Sequence, residues 1–225
     1  MSLQEKLSAF KAQFESGQPP FEAVPAAAHE VMRRATNELR ASGIAERFVR
    51  SGPAPAFALE DANGKLVSLA DLLTKGAVVL SFYRGAWCPY CNIELQELER
   101  HAARIRAAGA TLVTVTPQSA ANSRKVIEQH KLSYPMLSDP GNAVAEQYGL
   151  RFRLPDYLIE LYKQFGVDLL AFNGDPNWTL PMPARLVIDR RGEIRYAKAD
   201  PDYTRRPEPE EVIPVLEGLT RTAAA

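Results

Sequence analysis

The sequence predicts an α/β fold preceded by a helical extension. Three observations predict it. From about residue 55 onward, strand-like and helix-like segments alternate along the 225-residue chain. The apolar run Ala77-Val78-Val79-Leu80-Ser81-Phe82 leads directly to Trp87-Cys88-Pro89-Tyr90-Cys91 and then to a long helical pattern. Ahead of all this, two amphipathic stretches have helical periodicity and no strand between them.

Taken in order, residues 3–16 carry Leu3, Leu7, Phe10 and Phe14 at helical spacing. Residues 26–42 give a second helix. Pro19, Pro20 and Pro25 separate the two, and Gly43 is a stop for the second. Ser51-Gly52-Pro53-Ala54-Pro55 reads as a hinge, dividing an extension (1–48) from the main domain (49–225). Residues 57–60 and 65–68 flank Asn63-Gly64, a hairpin signal. Residues 77–83 form a buried strand, and 89–108 a long helix stopped at Gly109. A strand at 111–115 and a helix at 120–130 follow. A short strand at 135–137 enters the turn Asp139-Pro140-Gly141-Asn142, and 143–148 are helical. Residues 155–165 form a helix with Leu158, Leu161, Tyr162 and Phe165 on one face. Segments 185–188 and 193–196 form a hairpin through Arg190-Arg191-Gly192, and 208–219 a terminal helix. The aromatic stretch 154–178 reads first as helix covering the core, with a roof over the active site or a dimer contact as the other readings.

Composition narrows the function. Aliphatic and aromatic residues make up 46% of the chain, enough for a sizeable core. Basic and acidic residues number 27 each, so no excess charge points to nucleic acid or an anionic membrane. The N-terminal residues lack the basic-then-apolar pattern of a signal peptide, and no apolar run nears the ~20 residues that span a bilayer. The expected compartment is the cytoplasm, where thiols are held reduced. A structural disulfide is unusual there, which favours a catalytic or metal-binding cysteine pair. His29, His101 and His130 show no ligand spacing, and a structural zinc needs about four ligands, so no metal is expected within the chain. With no glycine-rich phosphate loop, no cofactor such as a nucleotide or flavin is expected.

Both cysteines lie in one Cys-x-x-Cys motif, which after a strand and before a helix reads as redox machinery. Pro89 suits the first helical position, where its missing N–H costs nothing. Cys88 is then the N-cap, facing unpaired amides and the positive end of the helix dipole. Such a site holds a thiolate and lowers a cysteine pKa to roughly 3.5–7.5. Cys91 continues the stripe Leu95, Leu98, Ala102, Ile105, so it faces inward. The helix start predicts Cys88 exposed and Cys91 less accessible.

The ordered pieces Pro55-Ala56-Phe57, Asn63-Gly64-Lys65-Leu66-Val67-Ser68-Leu69, Val79-Leu80-Ser81-Phe82-Tyr83-Arg84, Val113-Thr114-Val115-Thr116-Pro117-Gln118-Ser119, Tyr134-Pro135-Met136-Leu137-Ser138-Asp139-Pro140 and Leu186-Val187-Ile188-Asp189-Arg190-Arg191-Gly192 resemble the peroxiredoxins of the alkyl hydroperoxide reductase/thiol-specific antioxidant family. The best match is the branch carrying Trp-Cys-Pro-x-Cys. The resemblance spans about residues 50–200. It implies a thioredoxin-like fold of peroxiredoxin type, with a central mixed β-sheet flanked by helices. It also implies a thiol-dependent peroxidase that consumes hydrogen peroxide or organic hydroperoxides, with an external thioredoxin-, glutaredoxin- or glutathione-like reductant and a possible homodimer.

The departures matter. Peroxiredoxins carry Pro-x-x-x-Thr-x-x-Cys around the peroxide-reactive cysteine. Here that register places the attacking cysteine at Cys91, Arg84 at the proline and Cys88 at the threonine. Thioredoxins, laid on the same residues, make Cys88 the attacker, and their buried acid is replaced by Phe82. The sequence leaves both assignments open, and with them a disulfide reductase or a redox-sensing module without turnover as alternatives to a peroxidase.

Supporting residues follow from the resemblance. Pro183 is expected to be a cis-proline packed against the dithiol, or otherwise a trans proline at strand entry. Arg185 is the expected cation near the sulfurs, or otherwise an ion pair on the sheet; the family's arginine falls at Pro183, which shares its strand face. Arg84 either lowers the Cys88 pKa or is a solvated loop residue. Trp87 is expected to shield the dithiol. Asp202-Tyr203-Thr204-Arg205-Arg206-Pro207 is similar to the same branch and is expected to be a surface loop.

Overall fold

The computed structural model describes residues 1–21 and 24–224. Two N-terminal helices, α1 (Leu3–Glu15) and α2 (Ala26–Ala41), precede a one-turn α3 (Ile44–Arg47). The chain continues through β1 (Gly52–Pro53), β2 (Ala58–Asp61), β3 (Leu66–Ser68), α4 (Leu69–Lys75) and β4 (Ala77–Phe82). Next come α5 (Pro89–Ala107), β5 (Ala110–Thr116), α6 (Ala120–His130), β6 (Met136–Ser138) and α7 (Ala143–Gln147). The last part holds β7 (Arg151–Arg153), α8 (Asp156–Gln164), α9 (Leu169–Asn173), β8 (Thr179–Pro181), β9 (Ala184–Ile188), β10 (Glu193–Ala199) and α10 (Val212–Ala224).

Among the described residues, eight strands form one sheet in the order β1-β10-β9-β4-β5-β6-β2-β3. β4, β5 and β6 run parallel, and β9 and β2 join them antiparallel. The sheet is therefore mixed, as the resemblance implied. The strand period of two sorts side chains onto its faces. Ala77, Val79 and Val187 meet α5, α10 and α1 on one side, while Val78, Leu80, Phe82, Leu186 and Ile188 meet the opposite core under α3, α4 and α7. On β9 the same alternation sends Arg185 toward α5.

The N-terminal extension packs on this same chain. Leu3 and Leu7 of α1 are fully buried in the core that contains both cysteines. α2 packs on α8 in a third cluster built around Leu154, Leu158 and Leu169. A Cβ at Gly149 would meet the Arg47 carbonyl at 2.0 Å, so α3 docks as closely as glycine allows.

Several expectations need correction. Ser51–Pro55 is no hinge: Gly52 and Pro53 pair with β10 and extend the sheet edge. Phe165 lies outside α8 as its C-cap and is exposed, whereas Ile159 takes a buried position. The Met182–Pro183 bond is trans; among the described residues the one cis bond is Pro19–Pro20. The Met182 N–H donates to the Leu150 carbonyl, prolonging the ribbon of β7 and β8, so the chain enters β9 extended.

Candidate active site

Cys88 is the N-cap of α5 and Pro89 opens the helix. The preceding loop is pinned at several points. The Cys88 N–H donates to the Gly85 carbonyl, and the Ala86 N–H to Gln118 Oε1 at 3.0 Å. Asn92 Nδ2 donates back to the Ala86 carbonyl, and the Tyr83 hydroxyl holds Asn92 Oδ1 at 2.7 Å. Gly85 has φ +148°, and a Cβ there would lie 2.4 Å from Trp87 Nε1. The loop thus needs glycine to let the indole ring close down.

The two cysteines are free and lie 3.0 Å apart. Neither is exposed: Cys88 shows 2% of its surface and Cys91 none. The sequence expectation of an exposed Cys88 fails because later elements cover the helix start. Tyr90 stacks edge-on with Phe10 of α1 at 5.0 Å and with Tyr203 at 5.5 Å, and Trp87 packs on Tyr162 at 5.4 Å. The aromatic stretch 154–178 therefore contributes both core-covering helix and, through Tyr162, a wall of the site.

The electrostatics divide the pair. Burial opposes charge on Cys88, but the Cys91 thiol and the guanidiniums of Arg84 and Arg206 outweigh it and bring its pKa down to about 6. Burial and the adjacent Cys88 push the Cys91 thiol well above its ordinary value, against the pull of Arg206 and Arg84. Cys88 is thus the thiolate at neutral pH and Cys91 the thiol beside it.

Arg84 is no solvated loop residue. It is 2% exposed, with its guanidinium over the Trp87 ring at 5.0 Å and the Tyr203 ring at 4.7 Å. Nη2 donates to the Tyr162 hydroxyl at 3.2 Å, while Nε and Nη1 have no partner. Arg185 reaches Glu94 and not a sulfur: its Nη2 donates to Glu94 Oε1 at 2.7 Å, and its Nη1 to the Pro207 carbonyl at 2.8 Å. Glu94 lies one helical turn beyond Cys91, so Arg185 is fixed to the helix that carries the dithiol and not to the dithiol itself.

The guanidinium that touches sulfur is one the sequence reading set aside. Arg206 donates from Nη2 to Cys91 Sγ at 3.3 Å and from Nε to Glu94 Oε2 at 2.7 Å. The stretch 202–207 is no surface loop here, because Thr204 and Arg206 are buried and Tyr203 packs on Tyr90. Two signals could have found it. Glu94 stands on the inward face of α5 and needs cations, and the stretch holds two arginines and a tyrosine.

A mixed sheet whose central strand feeds a cysteine pair into a helix N-terminus defines a thiol protein of thioredoxin-like architecture. The model of the AhpC/TSA family matches residues 51–197, and the chain belongs to that family. Peroxiredoxin Q, chloroplastic, of Triticum aestivum is 27% identical over 173 residues, covering 76% of this chain and 69% of the relative. The Suaeda salsa protein of the same name is 30% identical over 138 residues, 60% of this chain and 64% of the relative. The chain spans about two thirds of these relatives' length. Among solved structures, peroxidoxin BcpB from Mycobacterium tuberculosis aligns with a TM-score of 0.59 at 21% identity, covering 78% of this chain and 97% of that one. A cysteine-to-serine mutant of peroxiredoxin 6 from Arenicola marina gives 0.62 at 17% identity, covering 78% and 75%. These structures share the fold.

Proposed function

We propose that the protein is a thiol-dependent peroxidase working through a Cys88–Cys91 dithiol, with Cys88 as the attacking sulfur. The observation that carries the assignment of roles is the split between the two thiols. One has its pKa brought down to about 6 by the neighbouring thiol and two buried guanidiniums, and burial beside that sulfur keeps its neighbour protonated. Family membership supports the peroxidase reading over a simple disulfide reductase.

The Cys88 thiolate attacks the proximal oxygen of a hydroperoxide, the O–O bond breaks and the distal oxygen leaves as alkoxide or hydroxide, which takes a proton. Cys88 becomes a sulfenic acid. The Cys91 thiol then condenses with it, forming the disulfide and releasing water. The pair already sits close enough for this with little movement. An external thiol supplies two electrons and restores both sulfurs by exchange. The register shared with peroxiredoxins would give the first step to Cys91, but its raised pKa and complete burial favour the resolving role.

The test is to add hydrogen peroxide to the reduced protein and follow peroxide loss together with intact mass. The expected result is consumption far faster than by free cysteine, with a mass loss of about 2 Da for the disulfide. A rate no better than that of free cysteine would remove the peroxidase reading.

A further inference from the structure

A cleft of about 960 Å³ lies between α2, α8 and the ribbon of β7 and β8 and reaches the dithiol only as far as the side chains that cover it. Its lining includes Arg84, Tyr162, Pro183 and Tyr203, and Arg84 and Tyr203 also sense the charge on Cys88. The volume is far more than a peroxide needs and lies in the range of sites for ligands of drug or peptide size.

The charges in the cleft are asymmetric. Glu146 is paired with Arg151, Arg153 with Asp156, and Glu38 with Arg34 and the Tyr157 hydroxyl. Two cations are left over. Arg84, almost wholly buried, has Nε and Nη1 without partners. Arg47 lines the cleft from an exposed position and has no side-chain partner among the described residues. A buried charged donor without an acceptor is costly, so a site that keeps one is suited to receive an acceptor.

We infer that this cleft binds a small, anionic, thiol-bearing peptide as the reductant of the Cys88–Cys91 disulfide. Its thiolate meets the free edge of Arg84, and a carboxylate meets Arg47. The inference deepens the peroxidase reading and rests on it only for the origin of the disulfide. The thiolate attacks the Cys88 sulfur, the Cys88–Cys91 bond breaks and Cys91 leaves as a thiolate onto the Arg206 guanidinium. A second peptide thiolate attacks the mixed disulfide, releasing Cys88 as thiolate and the oxidised peptide dimer. Two electrons pass from two peptide thiols to the protein disulfide, and Cys91 recovers a proton.

The test starts from disulfide prepared with diamide, so it needs no peroxide. Trp87 fluorescence follows its reduction by glutathione, by uncharged 2-mercaptoethanol and by a protein dithiol, thioredoxin. After correction for thiolate fraction, glutathione is expected to react about ten-fold or more faster than 2-mercaptoethanol at low salt, with the ratio falling as salt is added. In Arg47→Glu the ratio should fall toward one. Equal rates for the two small thiols, an unchanged ratio in Arg47→Glu, or faster reduction by thioredoxin than by glutathione at equal concentration would overturn the inference. If the glutathione preference holds but peroxide does not form the disulfide, the peroxidase reading fails and the cleft assignment stands.

Discussion

Arg206 and Cys91 are 115 residues apart in the chain, yet the guanidinium Nη2 donates to the cysteine sulfur at 3.3 Å. The same guanidinium grips Glu94 Oε2, and Arg185 grips the other carboxylate oxygen. Two arginines against one carboxylate leave one net positive charge beneath the dithiol. That charge and Arg84 flank the sulfurs, so whichever sulfur is anionic in a step has a guanidinium nearby. Cys88 has the charge at rest; Cys91 needs it only when it leaves the disulfide.

The resting charge has a measurable pH signature. Thiolate absorbance at 240 nm in the reduced protein should titrate with a midpoint at about 6. Arg84→Gln and Arg206→Gln should each move it upward, because each removes a charge that favours the thiolate. The linkage sign follows. Cys88 has a folded pKa below its unfolded value of roughly 8.5, so its stabilisation is complete above that value and is lost as pH falls through about 6. Cys91, raised by burial and by Cys88, acts oppositely and destabilises the reduced fold above the ordinary thiol range. Reduced protein should therefore gain stability from pH 6 to about 8.5 and lose it beyond, in urea titrations at fixed pH. A flat profile across that window would contradict the assignment of the thiolate to Cys88.

The division of labour predicts unequal serine variants. Cys91→Ser keeps a hydroxyl beside Cys88 and should still react once with peroxide, accumulating a Cys88 sulfenic acid that dimedone traps. Cys88→Ser takes away the charge that helps to hold Cys91 protonated but leaves Cys91 fully buried, so peroxide reactivity should fall well below that of Cys91→Ser without vanishing. Dimedone labelling of Cys91 in Cys88→Ser at the wild-type rate would instead return the attacking role to the position the peroxiredoxin register gives it.

Much of this arrangement was legible in the sequence because it is local. The stripe Cys91, Leu95, Leu98, Ala102 and Ile105 on α5 is buried as its spacing required, and Pro89 opens that helix. The bounds of α1 and α6 follow from periodicity and breakers. What escaped is non-local. β7 and β8 are three residues each, too short to show an alternation, and they find each other across α8 and α9. Glu94 on the inward face of α5 and the arginines of 202–207 each signal a missing partner, but nothing local pairs Arg206 with a carboxylate 112 residues away. The cis geometry expected at Pro183 came from resemblance alone and gave way to the hydrogen bond that Met182 makes with Leu150.

The buried Arg185–Glu94–Arg206 cluster should be costly to unbalance. Glu94→Gln removes the one carboxylate between two guanidiniums whose side chains show no exposed surface. Loss of a partner from a buried pair costs about 3–5 kcal/mol, read as a shift of the urea midpoint. The triple replacement Glu94→Leu, Arg185→Met, Arg206→Met should recover much of that loss by packing, yet its Cys88 midpoint should rise above the wild-type value because the Arg206 charge is gone. Stability would then be separated from thiolate stabilisation. A Glu94→Gln variant as stable as the wild type would mean the cluster is hydrated.

Residues 1–15 belong to this machinery through α1. The Glu208 carboxylate accepts from the Leu3 and Gln4 amides, and Gln4 accepts from the Arg206 N–H and donates to the Thr204 carbonyl. Leu7, fully buried in the core shared with the cysteines, anchors the helix that carries these contacts. Leu7→Ala should cost about 2–5 kcal/mol for the cavity and lost burial. Its second effect is specific to the site. A loosened α1 relaxes the backbone that carries Arg206 and lifts Phe10 from Tyr90, so iodoacetamide should label Cys88 several-fold faster at neutral pH than in the wild type. Ile188→Ala, on the opposite face of the sheet, removes comparable core volume without touching α1. It should lower stability but leave the Cys88 labelling rate under native conditions near the wild-type value. If both variants label alike, α1 guards the dithiol only through global stability.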